Sequence, residues 1–396
     1  MLSIKNYAKN IGVLISFLLL GYLINPLNIS FVFGYLIVVT LFVKKTFLLQ
    51  NLDFNFFLLV LFSLSYALFY GLNPIGGTQF IFIYATAPPF FYLLGKYLIK
   101  DFTSSTLIFN LLFIIGFLFS FSYLISVLIN FLEGGFSQLD RSLPYFWTGS
   151  LVSATRMGAY FSLNMCIPAL LIANQGRLKL LHKILAIVLF VLSLICVLRL
   201  GSRTQLGIML ITITIALIYV VPKQSLKNNV ILTVIIAGLL TVIYQNVSFD
   251  LNADWLSTFA GRMDKGASDI ASGGGRTERW TKSLSYMFEK PLGWGLNEFG
   301  FAHNLWLDVL RVSGILPFII LIVFSIRSFS SSRKLVLFKS LHMNLRLLVL
   351  VYSLTFFMMF MVEPILDGLF PLFTLWCLFT GMVIKTLKSF QNRPTN

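Results

Sequence analysis

Long apolar segments alternate with short polar segments along almost the whole chain. A helix needs about 20 apolar residues to cross a bilayer, so this pattern predicts an all-α, polytopic membrane helical bundle of about twelve transmembrane helices. The predicted spans are residues 11–25, 28–43, 54–71, 78–98, 105–131, 150–174, 183–199, 203–221, 229–245, 304–326, 344–362 and 366–384. Residues 1–396 are predicted to form one integral membrane domain.

One polar segment, residues 246–302, is much longer than the others and lies between the ninth and tenth predicted spans. Within it, the residues from Arg276 to Glu289 are predicted to form a helix that ends before Pro291, because proline cannot continue a helix. Apolar side chains at helical spacing share one face of this helix: Trp280, Leu284, Met287 and Phe288. The long loop is therefore predicted to carry a short helix that lies on the membrane surface.

Composition supports a membrane protein and excludes the main soluble classes. Hydrophobic residues make up 58% of the chain, charged residues make up 11%, and the mean hydropathy is +0.88. A soluble protein is about one quarter charged. A net charge of +16 would indicate a nucleic-acid partner in a soluble protein. Here the membrane topology accounts for most of that charge, and no nucleic-acid partner is expected.

The distribution of basic residues orients the bundle. When the N-terminus is placed inside, lysine dominates the inner loops, as the positive-inside rule requires. Both termini are then cytoplasmic, and the long loop faces the outside. Arginine dominates the outer side, and a guanidinium can bind phosphate through two parallel N–H groups. The outer arginines therefore indicate an anion-binding surface, although ion pairs with the outer acidic residues would also explain them.

Three of these arginines lie at or within predicted spans. The predicted span 150–174 places Arg156 about 9 Å from its outer end. A charge at this depth either extends to the surface or faces a polar cavity, and we favour the cavity. Arg199 and Arg203 flank a tight turn in which Ser202 is a predicted helix N-cap. The free N–H groups of that helix start and the Arg203 side chain predict a phosphate site, and a simple turn with two interfacial arginines is the alternative.

His303 and Asn304 lie where the long polar segment meets a predicted span. An imidazole has an ordinary pKa of about 6.5, which suits it to act as a general base at neutral pH. Glu298 and Glu363 are predicted to lie on the same outer side and are the alternative bases. Taken alone, a histidine at the end of a span is more often an ordinary interfacial residue than a catalytic one.

The stretch from Arg276 to Leu316 resembles the O-antigen polymerase and ligase family of bacterial envelopes. The ligase signature is His, then Asn, Ser or Gln, nine residues, Gly, two residues, and then Gly, Thr or Tyr. The chain has His303-Asn304, nine residues, Gly314, two residues and then Pro317, which departs from the last position. Two further segments are similar to this family: Arg-Trp followed by Pro-Leu-Gly-Trp-Gly before the histidine, and Gly-Ser-Arg-Thr at the start of a span.

This resemblance implies a GT-C type membrane glycosyltransferase of the bacterial inner membrane, with both termini cytoplasmic and the active site facing the periplasm. Its donor and acceptor would be polyprenyl diphosphate-linked oligosaccharides, and it would need no cofactor. A polymerase of this family transfers the growing glycan from its lipid carrier to a new lipid-linked repeat unit, with inversion at the anomeric carbon. Membrane lipids and a chain-length regulator protein are the other expected partners.

The candidate residues take distinct roles in such a transfer. His303 is predicted to accept the proton of the attacking hydroxyl, and Arg203 and Arg279 are predicted to neutralise the departing diphosphate. The predicted substrate-binding residues are Arg156, Arg199, Arg276, Asn304, Glu298 and Glu363. No metal site is predicted, because the chain has no suitable carboxylate cluster and preorganised arginines can supply the same positive charge.

Two alternative functions fit the same chain. An O-antigen ligase would transfer the finished glycan to lipid A core, and the departure at Pro317 favours the polymerase over this reading. A polysaccharide or lipid transporter would also have many spans, but two related halves would then be expected, and no internal repeat is visible. We therefore expect an O-antigen polymerase.

Overall fold

The computed structural model describes residues 11–74, 77–102, 104–136, 142–173, 180–246, 253 and 275–391, and most of them are helical. Within these residues, seven helices are long and apolar enough to cross a membrane, or eight if one bent pair counts as a single span. These helices confirm a multi-pass, all-α membrane protein. Twelve spans are not confirmed. Residues 247–252 and 254–274 of the predicted loop 246–302 lie outside the described residues.

The helices are numbered here in chain order. They are α1 (Val13–Ile24), α2 (Ser30–Val43), α3 (Lys45–Asn51), α4 (Phe54–Leu72), α5 (Gln79–Leu98), α6 (Ser105–Gly134), α7 (Ala154–Ala159), α8 (Ile167–Leu171), α9 (Leu180–Arg199), α10 (Arg203–Val220), α11 (Leu226–Asn246), α12 (Arg276–Glu289), α13 (Leu305–Ser313), α14 (Ile315–Leu337), α15 (Met343–Val362), α16 (Ile365–Gly368) and α17 (Phe370–Gln391). Two short strands, β1 (Ser142–Pro144) and β2 (Leu151–Ser153), pair antiparallel.

The chain divides into two compact units. The first unit contains residues 1–118, 271–339 and 356–396, and the second contains residues 119–270 and 340–355. Helices α6 and α15 each contribute residues to both units. Helices α12, α13, α14, α16 and α17 belong to the first unit.

Glycine allows two helices of the first unit to pack closely. A Cβ atom at Gly95 of α5 would collide with the carbonyl oxygen of Leu378 in α17, and one at Gly381 would collide with the carbonyl oxygen of Tyr92. Small residues at such positions let helix backbones approach each other, which is the usual basis of tight packing in membranes. Beside this contact the fully buried Trp376 packs against the Phe324 and Phe360 rings, each at a centroid distance of 5.0 Å.

The predicted span 150–174 is wrong as a single helix. The structure has β2 at 151–153, the short helix α7, a 3₁₀ turn at Asn164–Cys166 and then α8. Pro168 lacks an N–H group and lies in the first turn of α8, a position at which proline is tolerated and which suits the start of a new helix there. In the same segment the Asn164 amide donates to the hydroxyls of Ser120 at 2.7 Å and Ser193 at 3.0 Å.

The predicted span 304–326 is also divided, at Gly314 between α13 and α14. Gly314 has φ 74° and ψ −167°, a conformation that ends α13 and that glycine adopts at little cost. The predicted span 366–384 begins in the same way with a short helix, α16, before α17. Hydropathy does not detect these breaks because it averages over a whole span, and apolar residues predominate in both averaging windows.

Candidate active site around His303

Helix α12 forms as predicted and ends at Glu289, before Pro291. Two adjacent side chains on it bind the backbone that precedes His303. The guanidinium of Arg279 donates to the Phe301 carbonyl at 3.1 Å, and the indole N–H of Trp280 donates to the Ala302 carbonyl at 2.9 Å. Helix α12 therefore fixes the chain immediately before the histidine.

The Asp308 carboxylate binds the backbone on both sides of His303. One of its oxygens accepts from the Ala302 N–H at 2.9 Å, and the other accepts from the Asn304 N–H at 3.2 Å. His303 itself has φ 54°, a left-handed conformation. For a residue with a side chain this conformation costs about 1–2 kcal/mol. The two hydrogen bonds stabilise it, and they hold the imidazole at the entrance to α13.

Asp308 is in turn part of a buried ion network. The Arg311 guanidinium lies 3.3 Å from Asp308 Oδ1 and 2.7 Å from Asp367 Oδ2, and the Arg311 side chain has no exposed surface. Asp308 and Arg311 are three residues apart on one helix, a spacing at which opposite charges can pair. Asp367 comes from the segment before α17, 56 residues further along the chain. The network thus links the backbone around His303 to the C-terminal helices.

Replacing Asp308 by asparagine is expected to lower the free energy of unfolding by about 3 kcal/mol, because it leaves a buried guanidinium short of one anionic partner. The midpoint of thermal unfolding in detergent, followed by tryptophan fluorescence, measures the effect. Glu278→Gln is the matched control, since Glu278 pairs with Lys282 on the exposed face of α12. Equal midpoints for the two variants would contradict a structural role for the Asp308 network.

Asn304 is the N-cap of α13. Its side-chain oxygen accepts from the N–H groups of Trp306 at 3.1 Å and Leu307 at 3.2 Å, which satisfies two of the free donors of the helix start. Its amide nitrogen lies 3.5 Å from the sulfur of Met361 at the end of α15. Asn304 was predicted to bind substrate, and the structure shows its polar side-chain atoms in these contacts.

The Pro-Leu-Gly-Trp-Gly segment packs against the end of α13. The Trp294 N–H donates to the Arg311 carbonyl at 2.9 Å. Side chains at two glycines would prevent this packing, because a Cβ at Gly293 would collide with the Arg311 carbonyl and one at Gly314 with the Pro291 carbonyl. Both glycines also have a positive φ, so the close packing and the backbone conformation together explain why the chain needs glycine at both positions.

Two arginines from the start of α12 act electrostatically on His303. Its Nδ1 atom is buried and has no hydrogen-bond partner among the described residues. Burial, together with the positive charges of Arg276 and Arg279, lowers the pKa of His303 from 6.5 to about 4. The imidazole is therefore neutral at physiological pH in the free protein.

Glu363 belongs to the same cluster. It follows α15 directly, two residues after the Met361 that contacts Asn304, and its exposed fraction is only 4%. Burial raises the pKa of Glu363 from 4.5 to about 7, although the positive charge of Arg276 opposes the shift. Arg276 thus interacts with both Glu363 and His303. We call Arg276, Arg279, His303 and Glu363 the His303 site.

Glu298 has other partners. Its carboxylate forms an ion pair with Lys290 and accepts from the Tyr286 hydroxyl at 3.4 Å. The hydrogen bond and charge of Lys290 hold the pKa of Glu298 below its ordinary value. Of the two glutamates predicted as alternative bases, the structure places only Glu363 with the arginines and the histidine.

The remaining predicted arginines belong to the second unit. Arg156 lies in the first turn of α7, where it is exposed and interacts with the phenol groups of Tyr160, Tyr123 and Tyr145. Its predicted position 9 Å inside a long helix is wrong, because the helix begins only at Ala154. Its predicted role as a phosphate ligand stays a prediction.

Arg199 is 4% exposed and binds the end of α6, where it donates to the Asn130 side-chain oxygen at 2.8 Å and to the Gly134 carbonyl at 3.4 Å. These contacts stabilise the C-terminus of α6, and the predicted role of Arg199 in substrate binding stays a prediction. Arg203 opens α10 and is exposed, and it forms no salt bridge with the part of the chain that the structure describes. Ser202 takes the N-cap position as predicted, but its hydroxyl donates to the Gln205 side chain and caps no backbone N–H.

The sequence did not indicate that Asp308 accepts hydrogen bonds from the backbone on both sides of His303. It also did not indicate the hydrogen bond from Trp280 to the Ala302 carbonyl. One signal for Asp308 was available. A side chain in the first turn of a helix points towards the N-terminus, so an aspartate five residues after the histidine can bind backbone groups that precede the helix.

No protein-family model and no curated protein matches this sequence.

Proposed function

We propose that this chain is a bacterial surface-polysaccharide polymerase that transfers a glycan from a polyprenyl diphosphate carrier to a lipid-linked repeat unit at the periplasmic side of the inner membrane. The observation that carries the proposal is the His303 site. A neutral histidine on a strained backbone, two arginines and a buried glutamate of raised pKa lie together in a membrane protein. Perturbed groups in such an arrangement are typical of catalytic sites.

The two arginines supply the charge that a departing diphosphate requires. As the bond between the anomeric carbon and the diphosphate oxygen breaks, its electron pair stays on the diphosphate. Arg276 and Arg279 are both half-buried, and each guanidinium has five N–H donors, of which Arg279 is seen to use one on Phe301. Preorganised donors of this kind stabilise developing negative charge. Arg156 and Arg203 stay predicted as further ligands of the diphosphate.

Glu363 is the better proton acceptor in the free protein. A general base works best when its pKa lies near the operating pH, and the pKa of Glu363 is about 7 whereas that of His303 is about 4. In this mechanism the acceptor hydroxyl oxygen forms the new bond to the anomeric carbon, and its proton moves to the Glu363 carboxylate. His303, which the sequence predicts as the base, then binds the substrate as a neutral hydrogen-bonding group.

The polymerase is preferred to the ligase on the departure from the ligase signature at Pro317. In the structure Pro317 is the third residue of α14 and is buried. Proline is tolerated in the first turn of a helix because its missing N–H group would be unpaired there. Pro317 is therefore compatible with a helix that begins directly after the break at Gly314. Genetic complementation distinguishes the polymerase activity from the ligase activity.

Expression of the chain in cells that make the lipid-linked repeat unit but lack their own polymerase tests the proposal. We expect polymer ladders in place of single repeat units on lipid A core. Restoration of ladders only in cells that lack the ligase, and otherwise carry bare core, would instead identify a ligase. Movement of the lipid-linked glycan across vesicle membranes without a new glycosidic bond would identify a transporter and contradict the proposal.

His303→Ala is expected to reduce the rate of polymer formation by about 10- to 100-fold, which is the loss that follows removal of one hydrogen bond to a charged substrate. Ladder intensity, normalised to the protein level in the membrane, measures it. His342→Ala is the matched control, because His342 precedes α15 in the second unit and is no part of the His303 site. Ladders of normal intensity from His303→Ala would remove His303 from the reaction.

A further inference from the structure

A sharp bend separates α2 from α3 in the first unit. The two helices meet at Lys44 at an angle of 89°. Residues at the bend line a cavity of about 290 Å³, whose polar lining comes from Lys44, Lys45, Thr46 and Lys100 and whose aromatic lining comes from Phe47 and Tyr97. These residues belong to different segments from those of the His303 site.

The cavity is strongly basic. The Lys44 and Lys100 ammonium groups lie 5.3 Å and 4.3 Å from the centre of the Tyr97 ring, so both cations interact with the same aromatic ring. The Lys100 ammonium nitrogen also lies 3.8 Å from a carboxylate oxygen of Asp101, and the side chains of both residues are partly exposed to solvent. Lys44 and Lys45 form no salt bridge with any described residue. Three cations therefore share the site with one exposed carboxylate.

Exposed apolar side chains lie on the two helices that meet at this cavity, and one of them, Val43, lines it. Phe42, Val43 and Leu49 are 54%, 76% and 69% exposed in the protein alone. A large apolar surface of this kind on a membrane protein contacts acyl chains. The Phe47 ring packs edge-on against Tyr97 at a centroid distance of 5.0 Å and holds α3 beside α5. The lysines therefore lie where an apolar surface ends, which is the level of the lipid headgroups.

We propose that this cavity binds the headgroup of an anionic membrane phospholipid. The lysine ammonium groups and the Thr46 hydroxyl donate to the phosphate oxygens, and the exposed apolar residues contact the acyl chains. Basic pockets between transmembrane helices on the cytoplasmic side are suited to such headgroups. The predicted orientation places the bend on that side, where it faces the anionic leaflet. This site is independent of the proposed polymerase activity.

The full-length protein in detergent tests the proposal by titration with short-chain phosphatidylglycerol, phosphatidylcholine of the same chain length, and inorganic phosphate, with intrinsic fluorescence as the readout. One lysine near a membrane surface contributes about a fivefold change in affinity. We therefore expect phosphatidylglycerol to bind far more tightly than phosphatidylcholine. The triple variant Lys44→Gln, Lys45→Gln, Lys100→Gln is expected to weaken phosphatidylglycerol binding by about 100-fold.

The matched control replaces three other exposed lysines of the same predicted side, Lys227, Lys334 and Lys339, by glutamine. This control variant has the same net charge as the variant in which the cavity lysines are replaced. If the control variant binds phosphatidylglycerol as tightly as the unaltered protein, the cavity is a specific site. Equal weakening in both triple variants would show diffuse electrostatic attraction and overturn the proposal. If inorganic phosphate binds as tightly as phosphatidylglycerol, the ligand is a free anion and not a lipid headgroup. If the unaltered protein does not prefer phosphatidylglycerol to phosphatidylcholine, the proposal is wrong. Thermal unfolding of each variant checks that it is folded.

Discussion

Replacing Glu363 by glutamine is expected to lower the turnover of glycan transfer by about 100- to 10,000-fold, because the variant keeps the shape of the side chain but cannot accept a proton. Turnover is measured with purified protein and a lipid-linked repeat unit as both donor and acceptor. Glu298→Gln is the matched control, since Glu298 is the other predicted base and is paired with Lys290. A larger loss in Glu298→Gln than in Glu363→Gln would overturn the assignment.

The pH dependence of the same reaction separates Glu363 from His303. The value of kcat/KM reports the ionisation of the free protein. If Glu363 is the base, kcat/KM rises with pH and levels off above about 7, the pKa of this carboxyl. If His303 is the base, its pKa of about 4 predicts a rate that is already constant across neutral pH. A flat profile between pH 5 and 8 would therefore return the role of proton acceptor to His303.

The same pKa has a consequence for stability. The folded protein raises the pKa of Glu363 from 4.5 to about 7, so folding favours the neutral carboxyl. The ionisation of Glu363 therefore does not affect the free energy of unfolding below pH 4.5. As the pH rises from 4.5 to about 7, this ionisation lowers the free energy of unfolding by about 3 kcal/mol. Glutamine cannot ionise and removes this fall. The buried Glu363 carboxylate thus reduces the free energy of unfolding at neutral pH.

Part of this site could be predicted from the sequence because local chemistry determines it. Helix α12 has a glycine before it and a proline after it, and its observed ends match the predicted ones. The cap of α13 follows from the preference of asparagine for helix starts. The pair Asp308–Arg311 follows from helical spacing. Each of these features depends on residues within a few positions of one another.

Other parts depend on contacts between distant segments. Asp367 completes the Arg311 network from 56 residues away, and the break at Gly314 fits against the carbonyl of Pro291. Hydropathy averages over about 20 residues and therefore joins the two apolar helices on either side of Gly314 into one predicted span. The proposed exchange of roles between His303 and Glu363 has the same origin, because burial is the largest cause of both pKa shifts and burial is a property of the folded chain.

Replacing Arg279 by alanine is expected to lower the turnover of glycan transfer by about 100- to 1000-fold, the loss that follows removal of one preorganised donor to a developing anion. The same change is expected to raise the pKa of His303 from about 4, because it removes one of the two positive charges that act on the imidazole. Arg279→Lys keeps that charge but lacks the planar fork of the guanidinium. We therefore expect this variant also to lose turnover while the pKa of His303 stays near its original value.

Nuclear magnetic resonance of ¹³C-labelled histidine measures the second quantity, since the chain has only 3 histidines and His303→Ala identifies the resonance of interest. Lys282→Gln is the matched control, because Lys282 lies on the exposed face of α12 and pairs with Glu278. If Arg279 acted only by fixing the Phe301 carbonyl, the lysine and alanine variants would shift the imidazole titration alike. Normal turnover in Arg279→Ala would exclude this guanidinium from the binding of the diphosphate. The two readouts thus distinguish an arginine that binds the leaving group from one that only supports the backbone beside the histidine.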